Sequence, residues 1–316
     1  MTPPLFVLGV SRSGTTMLRV ILDRSPGIAI PDETFFVPQL AHRHPGVVDP
    51  AELLEDVRRL PRLAAWEVPL EDIASRLRPG MTTGEALDAV FQAYAAKHAK
   101  PRWGDKTPMY MRHLTLLERL FPTAQYVHLV RDGRDAALSF LEMPVGTFTR
   151  TWAHPTSPAQ FACLWRKEVE DARSLGRRVG QRRYLEVRYE ELVADPDGIV
   201  SAICAFAEIP FEQRMLAYSE AVDVSDKPHQ QRLLRPPTTG VRSWRHDMSA
   251  DDVSAFEEVA GDLLAELGYE VTTSGSSARA TAKRAVYDMR LAAWNATASL
   301  LQRSPLWRRR HPRLSA

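Results

Sequence analysis

With 316 residues, 44% hydrophobic and 25% charged, the chain can bury a sizeable core and has the composition of a globular protein, neither disordered nor fibrous. It contains no run of about 18 apolar residues such as a spanning helix needs, and its opening MTPPLFVLGV lacks the basic and apolar segments of an export signal, so a cytoplasmic chain is expected. The net charge of +2 is uneven: residues 279–316 carry nine basic residues against Asp288 alone, which leaves the rest net acidic and argues against nucleic acid as a partner of the main body.

In chain order, LFVLGV (5–10) is a continuous apolar run, as in a strand covered on both faces. It enters the loop SRSGTT, after which Met17, Leu18, Ile21 and Leu22 recur at helical spacing until Pro26-Gly27. IPDETFFVP follows, with Asp32 readable as a helix cap and Glu33 beside it. Residues 50–99 read as helical, with Leu87, Val90, Phe91 and Tyr94 on one apolar stripe. PRWGDKTP interrupts them and holds Lys106 in a stiff turn; a helix is expected from about residue 111.

AQYVHLV (124–130) is a second buried strand that delivers Arg131, and DGRDAALS opens a helix placing Ser139 eight residues later. The run Arg131, Asp132, Arg134 and Asp135 can also be read as a surface ion-pair cluster. A helix over 161–179 leads to a third strand, RYLEVRY (183–189). Strands alternating with helices predict an α/β fold with a largely parallel sheet whose ligands gather at the strands' carboxyl ends.

Residues 223–247 read as a long polar loop, 250–267 as a helix ended by Gly268, and 272–277 as a linker. A domain over 1–271 is therefore expected, followed by a basic amphipathic helix and tail over 272–316. Tyr287, Leu291, Trp294, Ala298 and Leu301 form its apolar stripe, which would pack on the domain or, as a second choice, touch an anionic membrane. Cys163 and Cys204 have no metal-ligand spacing and read as buried thiols. His42 and His44 lack a carboxylate at facial spacing, so no metal is expected.

The loop resembles a Walker phosphate loop without its lysine: Gly9 and Gly14 are followed by Thr15 and Thr16. Backbone N–H groups from Ser11 to Thr16 and the helix N-terminus suit an oxyanion, and Arg12 supplies the missing positive charge. Arg131 with the Ser139 hydroxyl fits a second, separate phosphate.

Together SRSGTT, YVHLVRDGRDAALSF, RYEELVADP and GVRSW resemble the sulfotransferases that use 3′-phosphoadenosine 5′-phosphosulfate (PAPS), most of all the tyrosylprotein sulfotransferase branch and its bacterial relatives. The resemblance covers most of 5–270 and implies a P-loop-like parallel β-sheet flanked by helices. It assigns Arg12, Ser13, Gly14, Thr15 and Thr16 to the 5′-phosphosulfate and Arg131 and Ser139 to the 3′-phosphate. Tyr189 would lie near the nucleotide, and either Arg242 or Arg245 would cover the 3′-phosphate. Glu33 would be the catalytic base, with Lys106 and Arg12 stabilising the transferring group; other branches of the family use a histidine base. The acceptor expected from a chain without an export signal is a hydroxyl of a small molecule, lipid or carbohydrate, bound near 141–160 and 50–99. A P-loop kinase-like enzyme and a non-catalytic nucleotide-binding scaffold remain as alternatives, and nothing in the sequence indicates the oligomeric state.

Overall fold

The computed structural model of the chain describes residues 2–143, 154–220, 243–272 and 278–303. Within it the chain forms two compact units, one from residues 1–130 and 171–239, the other from 131–170 and 240–316.

The first unit is built on a parallel sheet of β1 (Leu5–Leu8), β2 (Gly104–Asp105), β3 (Gln125–Val130) and β4 (Tyr184–Arg188) in the order β2-β1-β3-β4. The register runs from Leu5 opposite Gln125 to Leu8 opposite His128, and from Tyr126 opposite Tyr184 to Val130 opposite Arg188. Three of these strands are the expected ones, β1 and β3 as apolar runs and β4 within RYLEVRY (183–189). β2 was read as a turn, because two residues are too few to show an alternation; Leu5 opposite Gly104 and Phe6 opposite Asp105 make it an edge strand.

Both faces of β1 and β3 are covered, which explains their unbroken apolar character. Phe6, Leu8 and Tyr126 face a cluster built on α2 (Phe36–Arg43), α3 (Pro50–Arg59), short helices α4 (Pro61–Ala64) and α5 (Leu70–Ala74), α6 (Thr83–Lys97) and α7 (Leu114–Leu120). The stretch 50–99 is thus several helices rather than one. Thr82 caps α6 through a reciprocal box with Glu85, and a 3₁₀ turn over Pro108–Arg112 precedes α7. Leu5, Val7, Val127 and Leu129 face the opposite way, against α1 (Thr15–Asp23) and α11 (Pro196–Phe206), which follows α10 (Tyr189–Ala194).

The second unit holds α8 (Gly133–Leu141), the first part of α9 (Pro158–Val179), α12 (Trp244–Asp247), α13 (Ala250–Glu266) and α14 (Ala278–Arg303). Its interior is organised by Arg134. This fully buried guanidinium pairs with Asp132 at 2.7 Å and Glu257 at 2.5 Å, donates to the Glu270 carbonyl at 2.8 Å, and stacks 3.6 Å from the Trp244 ring centroid. Two carboxylates satisfy the buried charge. The sequence allowed a surface ion-pair cluster here; Asp132 and Arg134 do pair, but in the interior.

Helix α14 pairs Lys283 with Glu258 of α13 and buries Tyr287 and Leu291, as the packed reading expects, while Val286 and Met289 are exposed. The side chains of Trp294, Ala298 and Leu301 lie outside those described. No described helix is long and apolar enough to cross a membrane.

Phe6 is 1% exposed at the centre of the sheet and meets the rings of Trp103, Phe121 and Tyr126 at centroid distances of 5.5–5.8 Å. Phe6→Ala is expected to destabilise the protein by about 3–5 kcal/mol, measured as a lower urea midpoint with unchanged slope.

Candidate active site

The loop after β1 is shaped by close approach. A Cβ on Gly9 would lie 2.6 Å from Thr15 Cγ2 and 2.7 Å from the Leu129 carbonyl oxygen, so the turn brings the loop backbone onto β3. Gly14, at φ +91°, is the N-cap of α1, and a Cβ there would lie 2.5 Å from the Tyr189 ring. Tyr189, first residue of α10, therefore packs directly on the loop. Arg12 adopts φ +75°, a left-handed conformation costly for a side chain with a Cβ and tolerated where surrounding structure enforces it.

The loop's chemistry suits an anion. α1 has no acidic residue in its first turn to oppose the helix dipole. Ser13 is fully buried, and its Oγ has no hydrogen-bond partner among the described residues. A buried hydroxyl is rarely left unsatisfied, and a phosphate or sulfate oxygen would satisfy it. Thr15 is buried, and the Thr16 hydroxyl accepts a hydrogen bond from Lys106 Nζ at 3.0 Å. These residues suit a phosphate- or sulfate-type oxyanion.

Lys106 and Glu33 are brought together by a local parallel pairing. Ala29 forms a bridge with Trp103, with Ala29 N–H donating to the Arg102 carbonyl and Gly104 N–H to the Ala29 carbonyl, both at 2.9 Å. From that bridge the two segments run on side by side. Lys106 Nζ lies 2.5 Å from Glu33 Oε1, the ammonium 1% exposed and the carboxylate 26%. Burial lowers the Lys106 pKa, and the Glu33 carboxylate opposes that shift.

Asp32 does not cap a helix. It pairs with Arg19 at 3.0 Å, and α2 begins further on, with Phe35 at its N-cap position. Arg62 donates to the Glu33 carbonyl at 2.8 Å and lies over the Phe35 ring. Beneath the pair, Asp105 accepts hydrogen bonds from Thr34 and Thr107, and burial pushes its carboxyl up to about 7. The sequence reading missed Thr34, Asp105, Thr107, Tyr110 and Arg19. Its available signal was the repeated charged-residue–threonine pair in PDET and GDKTP.

In the second unit, Arg131 precedes the Asp132 N-cap of α8 and its carbonyl accepts from Trp165 Nε1 at 3.1 Å. Ser139 is buried two turns along that helix. Arg245 pairs with Glu270 on the surface and flanks the Trp244 ring. Arg242, residues 223–242 of the expected polar loop and residues 144–153 of the expected acceptor region lie outside the described residues. His44 pairs with Asp56 at 2.9 Å and His128 contacts the Tyr184 hydroxyl at 2.7 Å. Among the described residues no three His, Cys, Asp or Glu side chains form a metal-binding group.

A model of the sulfotransferase family matches residues 3–213. Protein-tyrosine sulfotransferase A of Caenorhabditis elegans is 25% identical over 281 residues, covering 85% of this chain and 68% of that protein. Protein-tyrosine sulfotransferase 2 of Gallus gallus is 27% identical over 284 residues, 85% of this chain and 70% of its own. Among solved structures, the sulfotransferase domain of the Synechococcus PCC 7002 olefin synthase superposes with a TM-score of 0.57 at 25% identity, covering 85% of this chain and 96% of that one. The sulfotransferase domain from the curacin biosynthetic pathway superposes with a TM-score of 0.59 at 22% identity, covering 86% and 99%, and shares the fold.

Because Ser13 Oγ is buried without a partner among the described residues, Ser13→Ala should keep or raise the melting temperature, removing a desolvation penalty of about 1–3 kcal/mol. It should also weaken binding of adenosine 3′,5′-bisphosphate in calorimetry. A fall of several degrees with unchanged affinity would show that the hydroxyl serves the fold instead.

Proposed function

The chain belongs to the sulfotransferase family, and from that premise we propose that it transfers the sulfuryl group of PAPS to the phenolic hydroxyl of a tyrosine in a polypeptide acceptor. The observation that carries this reading is the contact of Glu33, Lys106 and Thr16 at the phosphate-type loop. When bound, PAPS supplies a sulfuryl group on a phosphate leaving group.

The loop amides, Ser13, Thr15 and the N-terminus of α1 are assigned the 5′-phosphosulfate. Arg131 and Ser139, with Arg242 or Arg245, are assigned the 3′-phosphate. Glu33 accepts the acceptor's proton on a carboxylate oxygen as the hydroxyl oxygen attacks. The Lys106 ammonium has three N–H donors, of which Glu33 and Thr16 take two. The third is available for charge developing on the departing oxygen, and Arg12 adds a second positive group. As that third N–H engages the departing oxygen, the ammonium shares its charge with the donor and loosens its hold on the Glu33 carboxylate, which then acts as base.

The acceptor assignment departs from the small molecule, lipid or carbohydrate expected from the sequence. Two considerations support tyrosine. The relatives spanning 85% of the chain are named protein-tyrosine sulfotransferases. A phenol, with a pKa near 10, also gives its proton to a carboxylate more readily than an aliphatic alcohol does.

Full-length protein with PAPS, assayed by mass spectrometry against tyrosine peptides, simple phenols, lipids and sugars, should sulfate the peptides most efficiently. Glu33→Gln should lower kcat about 10²–10⁴-fold while bisphosphate affinity stays near wild type, whereas a scaffold protein would show no turnover to lose. Preferred sulfation of a lipid or sugar would overturn the acceptor assignment and leave the donor standing.

Arg131→Ala separates the two phosphates. It should weaken adenosine 3′,5′-bisphosphate by about tenfold or more, as loss of a charge-assisted pair does, and leave AMP affinity unchanged. Equal loss for both nucleotides would remove Arg131 from the 3′-phosphate site.

A further inference from the structure

Glu33 and Lys106 each precede a threonine, and one carboxylate holds both. Thr34 Oγ1 donates to Asp105 Oδ2 at 2.5 Å, and Thr107 Oγ1 donates to Asp105 Oδ1 at 2.7 Å. The Thr107 hydroxyl accepts from Thr34 N–H at 3.0 Å. Since the Thr34 hydroxyl gives its single proton to Asp105, the Tyr110 hydroxyl 2.6 Å away must donate to Thr34, and it accepts in turn from Val37 N–H at 3.2 Å. Each hydroxyl donates once and accepts once. All four side chains are buried, none more than 2% exposed.

This arrangement needs a reason, because a buried carboxylate among hydroxyls is a costly way to fill space that apolar side chains could fill. Its position supplies one. Residues 31–35 have no regular secondary structure of their own, and Glu33 lies among them, partly exposed. The Ala29–Trp103 bridge and the Arg62 and Arg19 contacts guide the segment, and the bonds to Asp105 are the ones that tie it to the Lys106 segment next to the pair itself. We propose that Asp105 is a positioning residue, which clamps the peptide units following Glu33 and Lys106 so that base and lysine are already aligned when substrates arrive. The proposal rests on the roles given to Glu33 and Lys106 above.

Protonation gives the clamp a signature. Burial raises the Asp105 pKa to about 7, opposed first by the Thr34 and Thr107 hydrogen bonds and then by Lys106, with Glu33 adding to the rise. The Tyr110 hydroxyl faces it through Thr34. A carboxyl whose folded pKa exceeds its unfolded value of about 3.9 binds its proton more tightly when folded, so its contribution to stability declines as pH rises from that value through about 7. Only the ionised form accepts from both threonines. The aligned state is thus the one that folding disfavours, and replacing the carboxylate should cost turnover without costing stability.

The test uses the full chain with Asp105→Asn, Thr34→Val and Thr34→Ser at about pH 8. Four quantities are read: PAPS-dependent kcat, KM, melting temperature, and the rate at which isotope-coded acetic anhydride labels Lys106. Asp105→Asn and Thr34→Val should melt within a few degrees of wild type, lose about tenfold or more in kcat with KM for the donor changed less than about threefold, and label Lys106 about tenfold faster, as misplacement of a reacting group predicts. Thr34→Ser, which keeps the hydroxyl, should restore wild-type behaviour. If a folded Asp105→Asn or Thr34→Val protein keeps both kcat and Lys106 protection within about threefold of wild type, the proposal is overturned. Should Asp105→Asn fail to fold, the Thr34 pair decides alone, because both variants retain Asp105. Should the wild type transfer no sulfuryl group, the labelling rates still report on alignment, so the functional reading and the positioning role fail separately.

Discussion

An ammonium group that is 1% exposed remains charged only if an anion stands beside it, and Lys106 meets that condition through Glu33. Much of the first unit can be understood from this demand. The bridge between Ala29 and Trp103 sets two segments parallel, and Gly104 eases the approach, since a Cβ there would lie 3.1 Å from both the Ile28 and the Ile30 side chains. Thr16 then joins the pair to the first turn of α1. An ammonium, a carboxylate and a loop whose chemistry suits an anion are therefore coupled in the chain itself. Under the proposed reaction this coupling has a kinetic meaning: Lys106 can leave Glu33 only for another anion, so the base is freed when the donor is present.

The sequence revealed the fold to the extent that it was written in long apolar runs. Phe6, Val7, Val127 and Leu129 announce strands covered on both sides, and helices such as α6 and α13 carry caps and stripes that survive in the structure. What it concealed were short or composite elements. β2 has two residues, and the helical region expected over 50–99 contains breaks at Leu60, at Pro69 and around Gly80, where local chemistry overrides the average propensity.

The candidate site was legible in a similarly divided way. Glu33, Lys106 and the loop residues lie in distinctive short motifs, and a family resemblance could name them. Asp105, Thr34, Thr107 and Tyr110 are common residue types whose meaning depends on two segments about seventy residues apart meeting in space, as the Thr34 to Asp105 contact does at a separation of 71. Arg134 makes the same point in the second unit: Asp132 is a near neighbour in the chain, but Glu257 and the Glu270 carbonyl come from more than a hundred residues away, and one sequence shows only a run of charges.

Cys163 and Cys204, the chain's two cysteines, are buried, and burial raises both thiols to about 11. At neutral pH the reactive thiolate is then on the order of one part in ten thousand, and neither sulfur is presented to an oxidant or an alkylating reagent. Thiol chemistry is in effect silent in the native protein. Control by thiol oxidation has nothing to act on, and a cysteine introduced on the surface would be the one nucleophilic sulfur a probe could find, so that a single fluorophore or spin label could be attached without removing either natural residue.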